Sequence, residues 1–514
     1  MRVSVLLAGV ALLAVVAVPA GADTLREALV KAYNTNPGLA AERANVRAQD
    51  ENVPIAKAQG RPNASVTGGY TENVLNNINT NTSSDPSVPN TPESLISPSR
   101  QIQGNLQLGV PVYSGGRVRN SVKGAETRVE ASRMQLRGTE SDTFVGVVGA
   151  YMDVIRDEAI VGLNKENVKV LEVNLQAAKD RFQVGDLTRT DVAQSDARLS
   201  VARGQLEQAQ AQLISSKEGY IRVVGSPPGQ LEDPPALPNL PGTPDNAVDV
   251  ALKNNPVLLA AQRNGDATRF DIEAAKGARL PTVSGVVGGN YLNYLGSLGA
   301  GTAFKPGQTS TSGTLGVQLS VPLYQGGGPS AQVRQAQARR AQALEQATDT
   351  ERGVISQTRS AYAIWKSSLE VIASSQRAVE ANKLSLEGVR AENSVGNRTI
   401  LDILNAEQEL LNSQVTLVTA QRDAYVAGFA LLSAMGEAEA RDLGLDGGVL
   451  YDPLTNYNRV KGKWSDWDTD PAYKPIGTST RDTPPQDSSQ KRPLDPQLNA
   501  PVDTAPDRPA NEVK

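Results

Sequence analysis

The feature that most constrains this chain is an internal duplication. VPVYSGGR, from Val110 to Arg117, returns as VPLYQGGG, from Val321 to Gly328, and the spacing of 211 between Tyr113 and Tyr324 persists from Tyr151 and Tyr362 to Gly225 and Gly436. Upstream, LREALVKAYNTNPGL (Leu25 to Leu39) matches DVALKNNPVL (Asp249 to Leu258), with Pro37 opposite Pro256 at a spacing of 219. Two copies of one structural unit must therefore pack together, with the length change confined to a loop.

Within each copy the apolar period switches from helical to alternating and back. Ile102, Leu106, Leu108, Val110 and Val112 share one parity, against Gln101, Gln103, Asn105 and Gln107 on the other. The second copy repeats this with Leu315, Val317, Leu319, Val321 and Leu323 against Ser312, Thr314, Gln318 and Ser320. A weaker, glycine-rich strand precedes each, at Asn63 to Tyr70 and Thr282 to Tyr291. The chain is thus expected to carry four strands, paired as two hairpins within 62–112 and 281–323. An ordinary sheet with one wet face satisfies a single such strand. Four duplicated strands of about ten residues, joined by long polar loops, fit a bilayer-crossing sheet better. Four cannot close a barrel, because single-chain barrels begin at about eight and open edges are excluded from lipid. Several chains must pool them.

Pro62, Pro111, Pro281 and Pro322 stand at the helix–strand junctions, with Gly115, Gly116, Gly326 and Gly327 beside them. Proline ends a ladder and glycine permits a sharp redirection. From Arg117 to about Gly185 the pattern is helical, a length of roughly 100 Å. The return segments place Val192, Leu199, Leu206, Leu213 and Tyr220, and then Ile403, Leu410, Leu417, Ala424 and Leu431, at intervals of seven. Antiparallel coiled-coil packing follows. RFQVGDLTRTDVAQSD and AENSVGNRTILDILNAE are the reversals at the far ends, each with glycine to turn and a Thr-x-x-Asp pair that suits a helix cap.

The remaining organisation is read from composition. Residues 1–22 form a signal peptide ending in an A-x-A site at Ala20 and Ala22, an uncleaved anchor being the alternative. The first repeat occupies 23–225, a linker with seven prolines 226–244, the second repeat 245–436, and a C-terminal extension 437–514. That extension is expected to be largely disordered after about residue 470. The chain has neither cysteine nor histidine, which excludes disulfides, thiol nucleophiles, imidazole bases and the usual zinc sites. No phosphate-cradling loop or nucleophile elbow is present, so neither an enzyme nor a cofactor is expected. With 51 basic and 55 acidic residues, there is no electrostatic case for a nucleic-acid partner.

The signal, the duplicated helix–hairpin–helix halves, the V-P-[VL]-Y-x-G-G corners and the V-G-x-x-T-x-x-D reversals together resemble the TolC family of outer-membrane channel-tunnel proteins, over Thr24 to Gly436. The resemblance implies a mainly α fold with a β-barrel part. Three chains would contribute four strands each to a twelve-stranded transmembrane barrel, and their long antiparallel helices would form a periplasmic α-barrel tunnel. It also implies a passive exit duct for type I secretion or multidrug efflux. The implied partners are a periplasmic adaptor and an inner-membrane ABC or proton-driven transporter, with outer-membrane lipid around the barrel. The other reading of the residues is a periplasmic coiled-coil adaptor or scaffold that never enters a membrane.

By the same resemblance, Val184, Gly185, Asp186 and Leu187, with Val395, Gly396 and Asn397, form periplasmic tips where an adaptor docks. Asp186 intervenes where the family has leucine directly after the glycine. Arg398 and Asp402 match gate positions, whereas the second acidic position is Asn405 and the tyrosine position before the tip is Asn393. Asp191 is the first-copy counterpart of Asp402. Helix capping alone also accounts for both aspartates.

Overall fold

The computed structural model describes residues 23–74, 99–297, 307–445, 450–477, 479–496 and 498. The signal-peptide segment and most of both long hairpin loops lie outside them. Short helices open each half. In the first they are α1 (Leu25–Thr35), α2 (Pro37–Asp50) and α3 (Asn52–Ala58). Pro54 explains the break between the last two, since it lacks an N–H and its ring crowds the carbonyl of Asp50. The matching position in the second half is Glu273, inside a single unbroken helix.

Each long helix begins at a glycine in the left-handed region. α4 (Arg117–Gln183) follows Gly116 at φ 75°, and its twin α8 (Gly328–Ser394) follows Gly327 at φ 81°. Each has 67 residues, a span of roughly 100 Å. The return helices α5 (Arg189–Val224) and α9 (Ile400–Met435) have 36 each, so they reach only part of the way back. α6 (Pro244–Asn254) and α7 (Pro256–Gly277) follow the linker, and α7 completes the layer beside α8.

The short and return helices are spliced end to end by paired asparagines. Asn255 caps α7 by accepting from the N–H groups of Val257 and Leu258, and its Nδ2 donates to the Ala434 carbonyl near the end of α9 at 2.9 Å. Asn36 does the same at α2, donating to the Val223 carbonyl of α5 at 3.0 Å. One side chain thus satisfies orphan groups of two helices at once. Most of the heptad residues are buried as the spacing requires, with Leu199, Leu213, Tyr220, Ile403, Leu410 and Leu417 in the interior, while Val192 and Leu206 are half-buried.

The strands are β1 (Asn63–Glu72), β2 (Arg100–Tyr113), β3 (Thr282–Asn293) and β4 (Thr309–Ser320). They form one antiparallel sheet in the order β1-β2-β3-β4, so β2 and β3 join the hairpins of the two halves. β4 stops at Ser320, short of the expected Leu323. Its last partner is Thr282, the first residue of β3, and Pro322 has no N–H with which to continue the ladder.

The extension also departs from expectation. α10 (Pro453–Val460) packs on α2 through Asn456 and Asp50. Beyond residue 470 the described residues hold no helix or strand, as the composition suggests, but they are docked rather than free. Tyr473 lies against Arg47, Lys217 binds the carbonyls of Asp487 and Ser489, and Leu498 is buried. Hydrogen bonds to main-chain carbonyls hold this segment, and carbonyls leave no mark in composition.

Candidate functional site

The pairing register sorts the sheet into two unlike faces. Directly opposed residues share a face, so Ala64, Leu108, Val287 and Leu315 form one row across all four strands. Val66 and Leu106 lie in the next row, and Val110 and Val317 flank Gly285 on the other side. The reverse face carries Ser65, Gln107, Gly288 and Thr314 in one row, with Thr67, Gln103, Asn290 and Ser312 nearby. The apolar face is bare, with Val66 77%, Leu315 85% and Val317 76% exposed. Tyr70 and Tyr291 stand on this face toward the hairpin loops, and Tyr113 at the opposite end, where the helices begin. No helix among the described residues is long and apolar enough to cross a membrane. Among the described residues, β1 and β4 each have one unpaired edge.

The corner residues lie at the junctions. Pro62 and Pro281 immediately precede β1 and β3, while Pro111 sits in β2 where the register against β3 shifts. Gly115 (φ 62°) and Gly326 (φ 59°) precede the helix-capping glycines Gly116 and Gly327. At Gly115 a Cβ would stand 2.5 Å from the Gly277 carbonyl at the end of α7, so this corner admits no side chain.

At the far ends the two reversals are near copies. Gly185 has φ 87° and Gly396 φ 85°. The N–H of Asp186 donates to the Arg181 carbonyl and that of Asn397 to the Glu392 carbonyl, both at 2.9 Å, closing the preceding helix. Val184 and Val395 project into solvent, whereas Leu187 is half-buried. Thr188 and Asp191 form a complete capping box for α5, and Thr399 and Asp402 one for α9. The Thr399 N–H, then its hydroxyl, holds the Asp402 carboxyl below the usual aspartate range, and Thr188 acts likewise on Asp191. Arg398 Nε donates to Glu392 Oε2 at 2.7 Å, and Asn393 Nδ2 to the Arg398 carbonyl at 2.7 Å, fixing the arginine within its own loop.

The outer membrane efflux protein family model matches residues 28–226 and 247–437, most of the chain. The chain belongs to that family. It is 36% identical to the outer membrane efflux protein BepC of Brucella suis over 86% of this chain and 91% of BepC. It is 29% identical to the outer membrane protein TolC of Escherichia coli over 59% of this chain and 64% of TolC. The fold matches the crystal structure of the Campylobacter jejuni CmeC outer membrane channel with a TM-score of 0.68, at 15% identity, covering 85% of this chain and 89% of CmeC. This protein is accordingly an outer-membrane efflux or secretion channel of TolC type, and not an enzyme.

Sequence reasoning missed the contacts between the two helical hairpins, α4/α5 and α8/α9. Asn405 accepts from Arg198 Nη2 of α5 at 2.8 Å, so the position read as a lost gate acid ties the hairpins together. Glu407, buried at 6% exposure, accepts from Asn174 of α4 at 3.0 Å and from Arg390 of α8 at 3.1 Å. Burial pushes its carboxyl above the usual glutamate range, against the opposing pull of Asn174 and Arg390. A signal existed, since Glu407 falls on the apolar stripe that includes Ile403, Leu404, Leu410 and Leu411. Its partners, 233 residues away at Asn174 and 17 away at Arg390, left none.

Proposed function

We propose that this protein is the exit duct of a three-component export system, conducting substrate passively from a periplasmic adaptor and an inner-membrane transporter to the outside. The observation that carries the reading is the sheet, bare and apolar on one face, polar on the other, with both edges unpaired. A backbone edge in lipid is costly, so copies of the chain join edge to edge. Three copies would supply twelve strands, with the polar face inward and the 67-residue helices continuing the lumen into the periplasm. At the distal end the Val184–Leu187 and Val395–Asn397 tips offer exposed apolar side chains to an adaptor. Arg398, Asp402 and Asn405, with Asp191 as the first-copy counterpart of Asp402, form the gate region, where three Asp402 carboxylates would make a cation-attracting ring. The description of BepC favours efflux as the transported load, with type I protein secretion the other use of the same conduit.

Fractionation tests this reading. The mature protein is expected in the outer membrane as a heat-modifiable trimer that forms pores in planar bilayers. Recovery as a soluble periplasmic monomer overturns it.

A further inference from the structure

The docked extension does more than cover a surface, because its final described stretch crosses from one helical hairpin to the other. It starts on the first. Lys217 of α5, 1% exposed, donates from Nζ to the Asp487 carbonyl at 3.2 Å and the Ser489 carbonyl at 2.6 Å, and stands 3.9 Å from the buried carboxylate of Glu158 on α4. The Lys491 N–H donates to Glu158 Oε1 at 3.3 Å, and Arg492 pairs with Asp233 of the linker. On the second hairpin, Gln414 Nε2 of α9 donates to the Leu498 carbonyl at 2.8 Å. Leu494 and Leu498 sit in a groove bounded by Leu163 and Val170 of α4, Leu386 of α8 and Leu411 of α9. Leu410 and Leu411 lie about three helical turns from the start of α9, so this crossing is roughly 15 Å from the tip.

The duplication supplies an internal control. Lys217, Glu158 and Gly162 correspond, at the spacing of 211, to Gly428, Leu369 and Ala373. Only the half that the extension crosses first carries the buried ion pair, and burying such a pair is unfavourable unless its remaining hydrogen-bonding capacity is met. The extension's carbonyls and the Lys491 N–H meet part of it. Gly162 is as telling, because glycine inside a helix is less favourable than alanine. A Cβ there would stand 2.9 Å from Gln490 Nε2 and 3.1 Å from Leu494 Cδ1.

We propose that the described residues of the extension from Asp487 to Pro496, with Leu498, act as a strap that holds the α8/α9 hairpin against α4/α5 and so keeps the tip closed. Lys217, Glu158 and Gly162 are its positioning residues. The proposal rests on the reading of the protein as an export channel gated at its tips. For α8/α9 to swing away from α4, Leu494 and Leu498 must leave the groove. Release therefore precedes or accompanies opening.

The test is resting conductance of the full-length channel in planar bilayers. Gly162→Leu displaces the strap from beneath, and Leu498→Asp removes its apolar anchor. Each is expected to raise the open-to-closed ratio about tenfold, equivalent to about 1.4 kcal/mol. Because the chain has no cysteine, Gly162→Cys with Leu494→Cys provides the only thiols for a short cleavable bifunctional reagent. Cross-linking should hold conductance at the parent's low level, and cleavage of the linker should raise it. Variants that conduct like the parent, or a thiol pair that cannot be bridged in the assembled channel, overturn the strap alone. A parent that makes no pore overturns the channel reading with it.

Discussion

Replacing Asn255 by alanine tests whether the helical layer is held together by its splices. Asn255 is 5% exposed and its side chain makes three bonds: two accepted from the N–H groups of Val257 and Leu258, one donated to the Ala434 carbonyl. Loss of an N-cap costs about 1 kcal/mol. A buried carbonyl left without a donor adds about 1–3 kcal/mol, for a total of roughly 2–4 kcal/mol. Ala434 lies in the last turn of α9 and has no N–H four residues on within the helix to replace the amide. Asn255→Asp separates the two contributions, since it keeps the accepting oxygen and sets a carboxylate against the carbonyl. Thr243→Ala is the control, removing the ordinary cap of α6 without touching another helix. Thermal unfolding of the purified oligomer, followed by far-UV circular dichroism, should rank Thr243→Ala above Asn255→Ala, with Asn255→Asp also below the parent. If Asn255→Ala matches Thr243→Ala and Asn255→Asp matches the parent, the splice contributes nothing beyond capping.

Three further outcomes are expected. Asp402→Ala should lower cation preference and Arg398→Ser should raise resting conductance in single-channel recordings; unchanged values in both leave Asp402 with its capping role only. Leu315→Arg, on the apolar face of β4, should reduce assembly into the outer membrane by about 2–4 kcal/mol near mid-bilayer. Gln318→Arg on the opposite face should assemble normally, and equal defects would contradict the face assignment. Glu407 holds its proton more tightly in the folded protein than in the unfolded chain, so its contribution to stability falls as pH rises through the raised value. Glu407→Gln should therefore exceed the parent in thermal midpoint at about pH 8, with the gap closing toward about pH 5; a pH-independent difference would refute the burial argument.

Much of this architecture was legible because it is written in local periods. The sevens of α5 and α9, the alternation of β2 and β4, the Gly-Gly corners and the Thr-x-x-Asp caps each depend on residues a few positions apart. Their duplication confirmed each reading against a second copy. The tips were legible for the same reason, since a left-handed glycine and a capping box need only ten residues of context.

The sequence alone determined that two equivalent halves exist, that each carries a hairpin too small to close a barrel, and that roughly 100 Å of helix separates the strands from the tips. Tertiary structure decided how the halves meet: β2 on β3, Glu407 between Asn174 and Arg390, and the extension laid across both hairpins. The physical reason is the nature of the partners. Repeating side-chain patterns announce a helix or strand face, whereas a single buried carboxylate, or a main-chain carbonyl accepting from Lys217, repeats nowhere and is recognised only when the fold brings donor and acceptor together.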